Sequence, residues 1–253
     1  MLPTNVLMMN TGQIDLLVAA RGWSHSLWLD EFYPEDLPED WRLSFYSNEF
    51  RAVVVPESNW VGIDPVEIER WEEDTHEGFS FYVEVGDLLT DWDRFATLFK
   101  PLGKQLGGII LRPSGIDADL SMVASNMVSA TALAPVSLLL PEGVEPSLAG
   151  KSLLNQYGVE LCWDVSAGKP QWSDSGSQSG LAVARVSGNM NFTARQWRET
   201  IETCLECFSQ QDRQQGGTHG RTILLMIDSA EPKVKDLRTA MMIGDMLVMP
   251  MML

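Results

Sequence analysis

A chain of 253 residues with 45% hydrophobic and 21% charged side chains has the composition of an ordinary globular core, and its length suits one α/β barrel of about 250 residues. Against 18 Lys and Arg stand 35 Asp and Glu, a formal charge of −17, which argues against nucleic acid or an anionic membrane as partner, because both demand clustered basic residues. No run approaches the roughly 18 apolar residues of a membrane span.

The first segment, Met1 to Met9, is apolar but has no basic flank and no small-residue cleavage site, so a signal peptide is not expected. Strand-like apolar runs then recur along the chain: Ile14 to Ala19, Ala52 to Val55, Phe79 to Val85, Gly108 to Leu111, Val136 to Leu140, Val159 to Trp163, Leu181 to Val186 and Thr222 to Ile227. Mostly β-branched or leucine-rich, they read as strands of a parallel sheet buried on both faces.

Helical patterns fill the intervals. Asp64-Pro65-Val66-Glu67 combines an N-cap, a first-turn proline and an acid, with Ile68 and Trp71 on one face. Leu89, Trp92, Ala96 and Phe99 share a stripe, as do Leu120, Val123, Met127 and Val128. Gly158 stands where a helix ends before strand six. Thr193 to Gln196 predicts a capping box, followed by Trp197, Ile201, Cys204, Leu205 and Phe208 at helical spacing. Pro232 opens a last helix through Val234, Leu237 and Met241. The Ser/Gly-rich stretch Ser166 to Gly180 carries no stripe and predicts a loop, while polar Ser209 to Gly220 connects on the bottom face. The expected fold is therefore α/β, a single (β/α)8 TIM-type barrel over residues 1–253, with the helix after strand six replaced by a loop.

The opening of the chain carries Arg21-Gly22-Trp23-Ser24-His25, Trp28, Phe32-Tyr33-Pro34, Leu37, Phe45-Tyr46 and Phe50. It resembles the YecE-like family called domain of unknown function 72. Trp71 to Phe81, Pro101 to Gly107, Tyr157 to Val159 and Arg185 to Gly188 extend the resemblance over most of the chain. It implies a TIM-type barrel loosely similar to the xylose-isomerase-like barrels, with no assigned reaction. It also marks departures. An acid and an asparagine in and after strand two are replaced by Val54 and Pro56, and a lysine in strand three by Glu84. Strand five, Val-Glu-Phe-Arg-His in the family, is Val136-Ser137-Leu138-Leu139-Leu140, and Ser187 stands for a histidine between Arg185 and Gly188. One of Leu139 and Leu140 should face into the barrel and the other outward.

Strand C-termini converge on one mouth, which makes Arg21, Trp23, His25, Glu57, Glu84, Arg112, Asp164, Arg185 and Asp228 the candidates there. A ligand set of Trp23, Arg185, Arg21, His25, Asp164, Asp228 and Glu84 is expected, without catalytic residues. The arginines either clamp a carboxylate or phosphate or pair with the acids. Trp23 and Trp28 either stack on a ligand or plug the mouth. Of the three histidines only His25 lies near the mouth, His76 and His219 being on the other face, so no metal is expected, and no cofactor. Cys204 and Cys207 sit inside a helix and read as core. With only one further cysteine, they fit a reducing cytoplasm. No Gly-rich phosphate loop, Gly-x-Ser-x-Gly elbow or Walker sequence is present.

Two functions stay open. The preferred one is a non-catalytic binding or scaffold module with a decayed pocket, because the departures fall on strand ends. The alternative is an enzyme acting on a small phosphorylated or sugar-like molecule. The expected partner is a small anionic molecule. The Met-rich ends, Met1 to Met9 and Met241 to Leu253, either cover the barrel bottom or meet a protein partner or a second copy.

Overall fold

The computed structural model describes residues 14–168, 180–187, 191–215 (side chains to 207) and 221–248. The described residues form one parallel sheet from β1 (Ile14–Arg21), β2 (Ala52–Val55), β3 (Ser80–Val85), β4 (Leu106–Leu111), β5 (Val136–Leu138), β6 (Glu160–Leu161), β7 (Trp163–Asp164), β8 (Leu181–Ser187) and β9 (Arg221–Asp228). Their order is β6-β5-β4-β3-β2-β1-β9-β8-β7. β6 and β7 are two halves of a single pass. The first half pairs with β5 and the second with β8, while the Cys162 amide between them still donates to the Leu138 carbonyl at 2.8 Å. Both edges of the sheet therefore meet in one stretch of chain, and the barrel is nearly closed. All eight expected runs lie on this wall, the sixth split at Cys162.

Side chains alternate across the wall. Leu17, Val54, Tyr82, Ile110, Val183 and Met226 belong to the cluster that fills the interior. Val53, Val83, Ile109, Leu138, Ala184 and Leu225 belong to the larger cluster under the helices. Leu139 falls in the inner set and Leu140 against the outer one, so strand five lines its side of the mouth with an apolar group. The interior leaves no room at Gly108. A Cβ there would stand 2.5 Å from a Leu181 methyl and 3.0 Å from the Pro135 carbonyl oxygen, so only glycine lets Leu181 and Tyr82 meet beside β4.

The helices are α1 (Trp28–Glu31), α2 (Arg42–Ser47), α3 (Glu57–Trp60), α4 (Pro65–Glu73), α5 (Trp92–Phe99), α6 (Ala124–Thr131), α7 (Leu148–Tyr157), α8 (Ala194–Gln215) and α9 (Val234–Val248). Their ends follow the sequence signals. Asp64 accepts from the Val66 amide with Pro65 in the first turn. Gly158 ends α7 at a φ of 64°, a left-handed conformation that glycine adopts without a Cβ penalty. The Thr193 amide donates to the Gln196 side chain, and the Gln196 amide donates back to the Thr193 hydroxyl.

Three local expectations are corrected. Asp91 caps α5 by accepting from the Arg94 amide, so the helix starts later than the stripe from Leu89 implied and buries Phe95 and Phe99. Val128 is exposed, and Met127 and Ala130 form the buried side of α6. The polar stretch from Ser209 is helical as far as Gln215, because it holds good helix formers and no breaker before Gly216. After β7 the chain makes a 3-10 turn, Val165–Ala167. The remainder of the expected loop to Gly180 lies almost wholly outside the described residues, as do Met1 to Met9, Gly188, His219 and the tail after Val248. Among the described residues no helix is long and apolar enough to cross a membrane.

Candidate functional site

The alternation that fills the interior also builds the mouth. On β1 the inward row runs Leu17, Ala19, Arg21, on β3 Tyr82, Glu84, and on β4 Ile110 and then Arg112, one residue past the strand. Asp164 ends β7, Arg185 follows Val183 on β8, and Asp228 follows Met226 on β9. Each row is apolar in its middle, and the mouth charges stand at the C-terminal ends.

These six side chains form one network. Glu84, 1% exposed, accepts from Arg21 Nε at 2.9 Å and Nη2 at 2.8 Å, and from Arg112 Nη1 at 2.9 Å. Asp228 lies 2.7 Å from Arg185 Nε, 3.1 Å from Arg112 Nη2 and 3.8 Å from Arg21 Nε. Arg185 Nη1 also donates to Asp164 at 2.9 Å. Burial alone would raise the Asp228 carboxyl. The Arg112 charge, the Arg185 hydrogen bond and charge, and Arg21 outweigh burial and hold it below its ordinary 3.8. Asp228 is thus ionised at neutral pH, and three cations balance three anions. The carboxylates Glu84 and Asp228 lie deepest, with side chains 2% and 9% exposed, whereas Arg21, Arg112 and Arg185 keep 32%, 31% and 23%. Arg21 Nη1, Arg112 Nε and Arg185 Nη2 make no hydrogen bond to the protein among the described residues. What the mouth offers a ligand is spare guanidinium N–H groups above a carboxylate floor.

The structure brings Arg21, Glu84, Asp164, Arg185 and Asp228 together and adds Arg112, which the sequence placed at a strand end without a role. Its parity with Ile110 was the available signal. Trp23 and His25 are not in the network. Gly22 has a φ of 88°, which turns the chain out of the inward row, and the Trp23 ring meets Trp71 of α4 edge-on at 5.1 Å. Glu57 accepts from the Gly86 amide at 2.8 Å and holds the loop after β3. Trp28 is fully buried. Cys162 packs against the interior, where burial pushes its thiol up. Cys204 is buried and Cys207 half-buried. Among the described residues no three His, Cys, Asp or Glu are grouped so as to hold a metal ion.

His25 joins two mouth loops. Its Nδ1 faces the Ala230 carbonyl at 3.2 Å and its Nε2 the Gly22 carbonyl at 3.3 Å. Burial lowers its pKa from 6.5, although both carbonyls and Glu231 oppose the shift. The folded state therefore binds this proton more weakly than the unfolded chain. Its contribution is intact above 6.5 and is lost as pH falls through the window below 6.5. Urea unfolding between about pH 7 and 5 is expected to show stability falling with pH in the native protein, and less steeply in His25→Gln. Equal slopes would contradict this. The Asp228 contribution lies in a separate window, being lost only as pH falls below 3.8.

A family model described as "Protein of unknown function DUF72" matches residues 17–250. Among solved structures, a DUF72 family protein from Thermotoga maritima superposes with a TM-score of 0.63 at 14% identity, covering 92% of this chain and 99% of its own. A DUF72 family protein from Enterococcus faecalis gives 0.63 at 12%, covering 91% and 95%. D-psicose 3-epimerase from Clostridium cellulolyticum, solved with D-tagatose, gives 0.52 at 13%, covering 91% and 97%. At these identities the likeness shows the TIM-barrel fold alone. No curated protein matches.

Proposed function

This chain belongs to the DUF72 family, whose function is unassigned, and from the geometry of its mouth we propose that it is a non-catalytic module that binds a small anion, a carboxylate or a phosphate. The observation that carries this reading is the exposed side of the network. Arg21, Arg112 and Arg185 present spare donors at the mouth, held by carboxylates beneath them. A guanidinium fixed in this way loses little freedom when it forks onto an oxyanion. Every carboxylate of the network is engaged by an arginine, and Asp228 is held ionised, which disfavours general-acid chemistry. These features support a degenerate pocket. The −17 charge supports the exclusion of nucleic acid, and the low count of three cysteines fits a cytoplasmic setting. A protein partner or a second copy at the Met-rich C-terminal end is part of the same proposal, since Met242 and Met246 are exposed on α9.

The test is thermal unfolding with inorganic phosphate, sulfate and a small dicarboxylate. An anion at 100 times its dissociation constant stabilises the folded state by about 2.7 kcal/mol. Wild type is expected to respond in this way and Arg185→Ala to lose the response. A wild type that no anion stabilises, with Arg185→Ala merely less stable, would leave Arg185 as a structural ion-pair partner and overturn the proposal. Turnover of a phosphorylated sugar, abolished by the same substitution, would support the enzyme alternative instead.

A further inference from the structure

The charges of the mouth network sum to zero, so a lone anion on its arginines leaves it with negative charge in excess. The chain as a whole, at −17, supplies no field that compensates this. The acids also differ in reach. Glu84 and Asp228 are sealed beneath the arginines, with side chains 2% and 9% exposed, whereas Asp164 keeps 26%, as much as its partner Arg185 with 23%. Asp164 Oδ2 accepts from Arg185 Nη1 at 2.9 Å, while Oδ1 takes the amide and hydroxyl of Ser166. A carboxylate has about four acceptor sites, so these three donors leave Oδ2 room for another. Arg185 Nη2 makes no hydrogen bond to the protein among the described residues, and it shares its guanidinium carbon with Nη1. The β7–β8 register pairs Asp164 with Arg185. A spare donor and a solvent-facing acceptor thus stand side by side. Next to them the wall carries no charge. One step past the paired Leu111, Leu138 and Leu161, the register sets Leu139 and half-buried Cys162 in one row with Arg112.

We infer that the oxyanion taken by the mouth is the carboxylate of an α-amino acid, held by the spare N–H of Arg185, with its ammonium on Asp164 and an apolar side chain toward Leu139 and Cys162. The inference rests on the reading of the mouth as an oxyanion site and names the class of ligand for it. A zwitterion brings both signs to a balanced network and adds no net charge. Its two charged groups hang on one carbon, which suits a donor and an acceptor joined through one guanidinium. A charge-assisted hydrogen bond forms at each end, and a ligand lacking either end leaves one of the two partners unused.

The test is calorimetric titration of the full chain with L-leucine, with isocaproate, which is leucine without its ammonium, and with isopentylamine, which is leucine without its carboxylate. Leucine is expected to bind at least about tenfold more tightly than either, or about 1.4 kcal/mol. Asp164→Asn should erase the advantage of leucine over isocaproate. The substitution leaves the network with positive charge in excess, so isocaproate itself should bind this variant no more weakly than wild type. A merely structural Asp164 would instead weaken both ligands alike, and that result would overturn the inference. Isocaproate binding wild type as tightly as leucine, with both lost in Arg185→Ala, would remove the ammonium subsite and leave the anion site standing. Binding of none of the three would overturn the amino acid as ligand, while the response to phosphate and sulfate separately decides the anion reading.

Discussion

Glu84→Ala is expected to lower the unfolding free energy by about 3 kcal/mol, or roughly 6–12 °C in Tm for a chain of this size. Glu84 is the most buried charge of the mouth, and two arginines depend on it. Removing one partner of a buried pair usually costs about 3–5 kcal/mol, because the other charge is left without compensation. The lower end applies here, since Arg21 and Arg112 keep about a third of their side-chain surface in water and solvent screens what remains. The loss has a signature that packing loss lacks. With the carboxylate gone, two guanidinium groups face an empty space shaped for one, so added formate or acetate should return part of the stability to Glu84→Ala and none to wild type beyond its ordinary anion response. Chemical denaturation with and without formate reads this directly. A loss below about 1 kcal/mol, the worth of a surface pair, would mean that the network does not hold the mouth together.

The barrel was legible because each strand is a short apolar run, and alternation assigns both its faces at once. The same parity predicts that one of Leu139 and Leu140 looks inward, which Leu139 does, and that charges gather at strand ends. Their pairing was not legible. Glu84 finds Arg21 across 63 residues and Arg185 finds Asp228 across 43, and no local pattern records a contact of that span. Arg112 lies one residue beyond its strand, where only its parity with Ile110 marks it. Trp23 stands outside the network because Gly22 turns the chain out of the inward row. On α5 the stripe of Leu89, Trp92, Ala96 and Phe99 includes the buried Phe99 but misses Phe95, because the Asp91 cap starts the helix only at Trp92.

Trp28→Ala is expected to cost about 4 kcal/mol, within the ~3–5 kcal/mol range for truncating a buried large aromatic. The ring is fully buried, stacked on Tyr46 at 5.8 Å and 9°, and edge-on to Phe32 at 5.5 Å. Its indole N–H donates to the Pro232 carbonyl at 2.5 Å, which ties the segment after β1 to the one after β9. Ser26 donates to Glu231 at 2.6 Å beside it, and His25 reaches Ala230, so one clasp holds the loops that follow Arg21 and Asp228. Trp28 is therefore neither a stacking platform nor a mouth plug, but the buried pin beneath the clasp. Two substitutions separate its ring from its hydrogen bond. Trp28→Phe keeps most of the apolar contact but leaves the Pro232 carbonyl without its donor, for a loss of about 1–3 kcal/mol. Trp28→Ala adds a cavity that neighbouring aromatics fill only in part. Urea unfolding should give the order wild type, Trp28→Phe, Trp28→Ala, with similar m-values. Equal stability of Trp28→Ala and wild type would show that the clasp is held by Ser26 and Glu231 alone, and an alanine variant no worse than the phenylalanine one would remove the packing of the ring from this account.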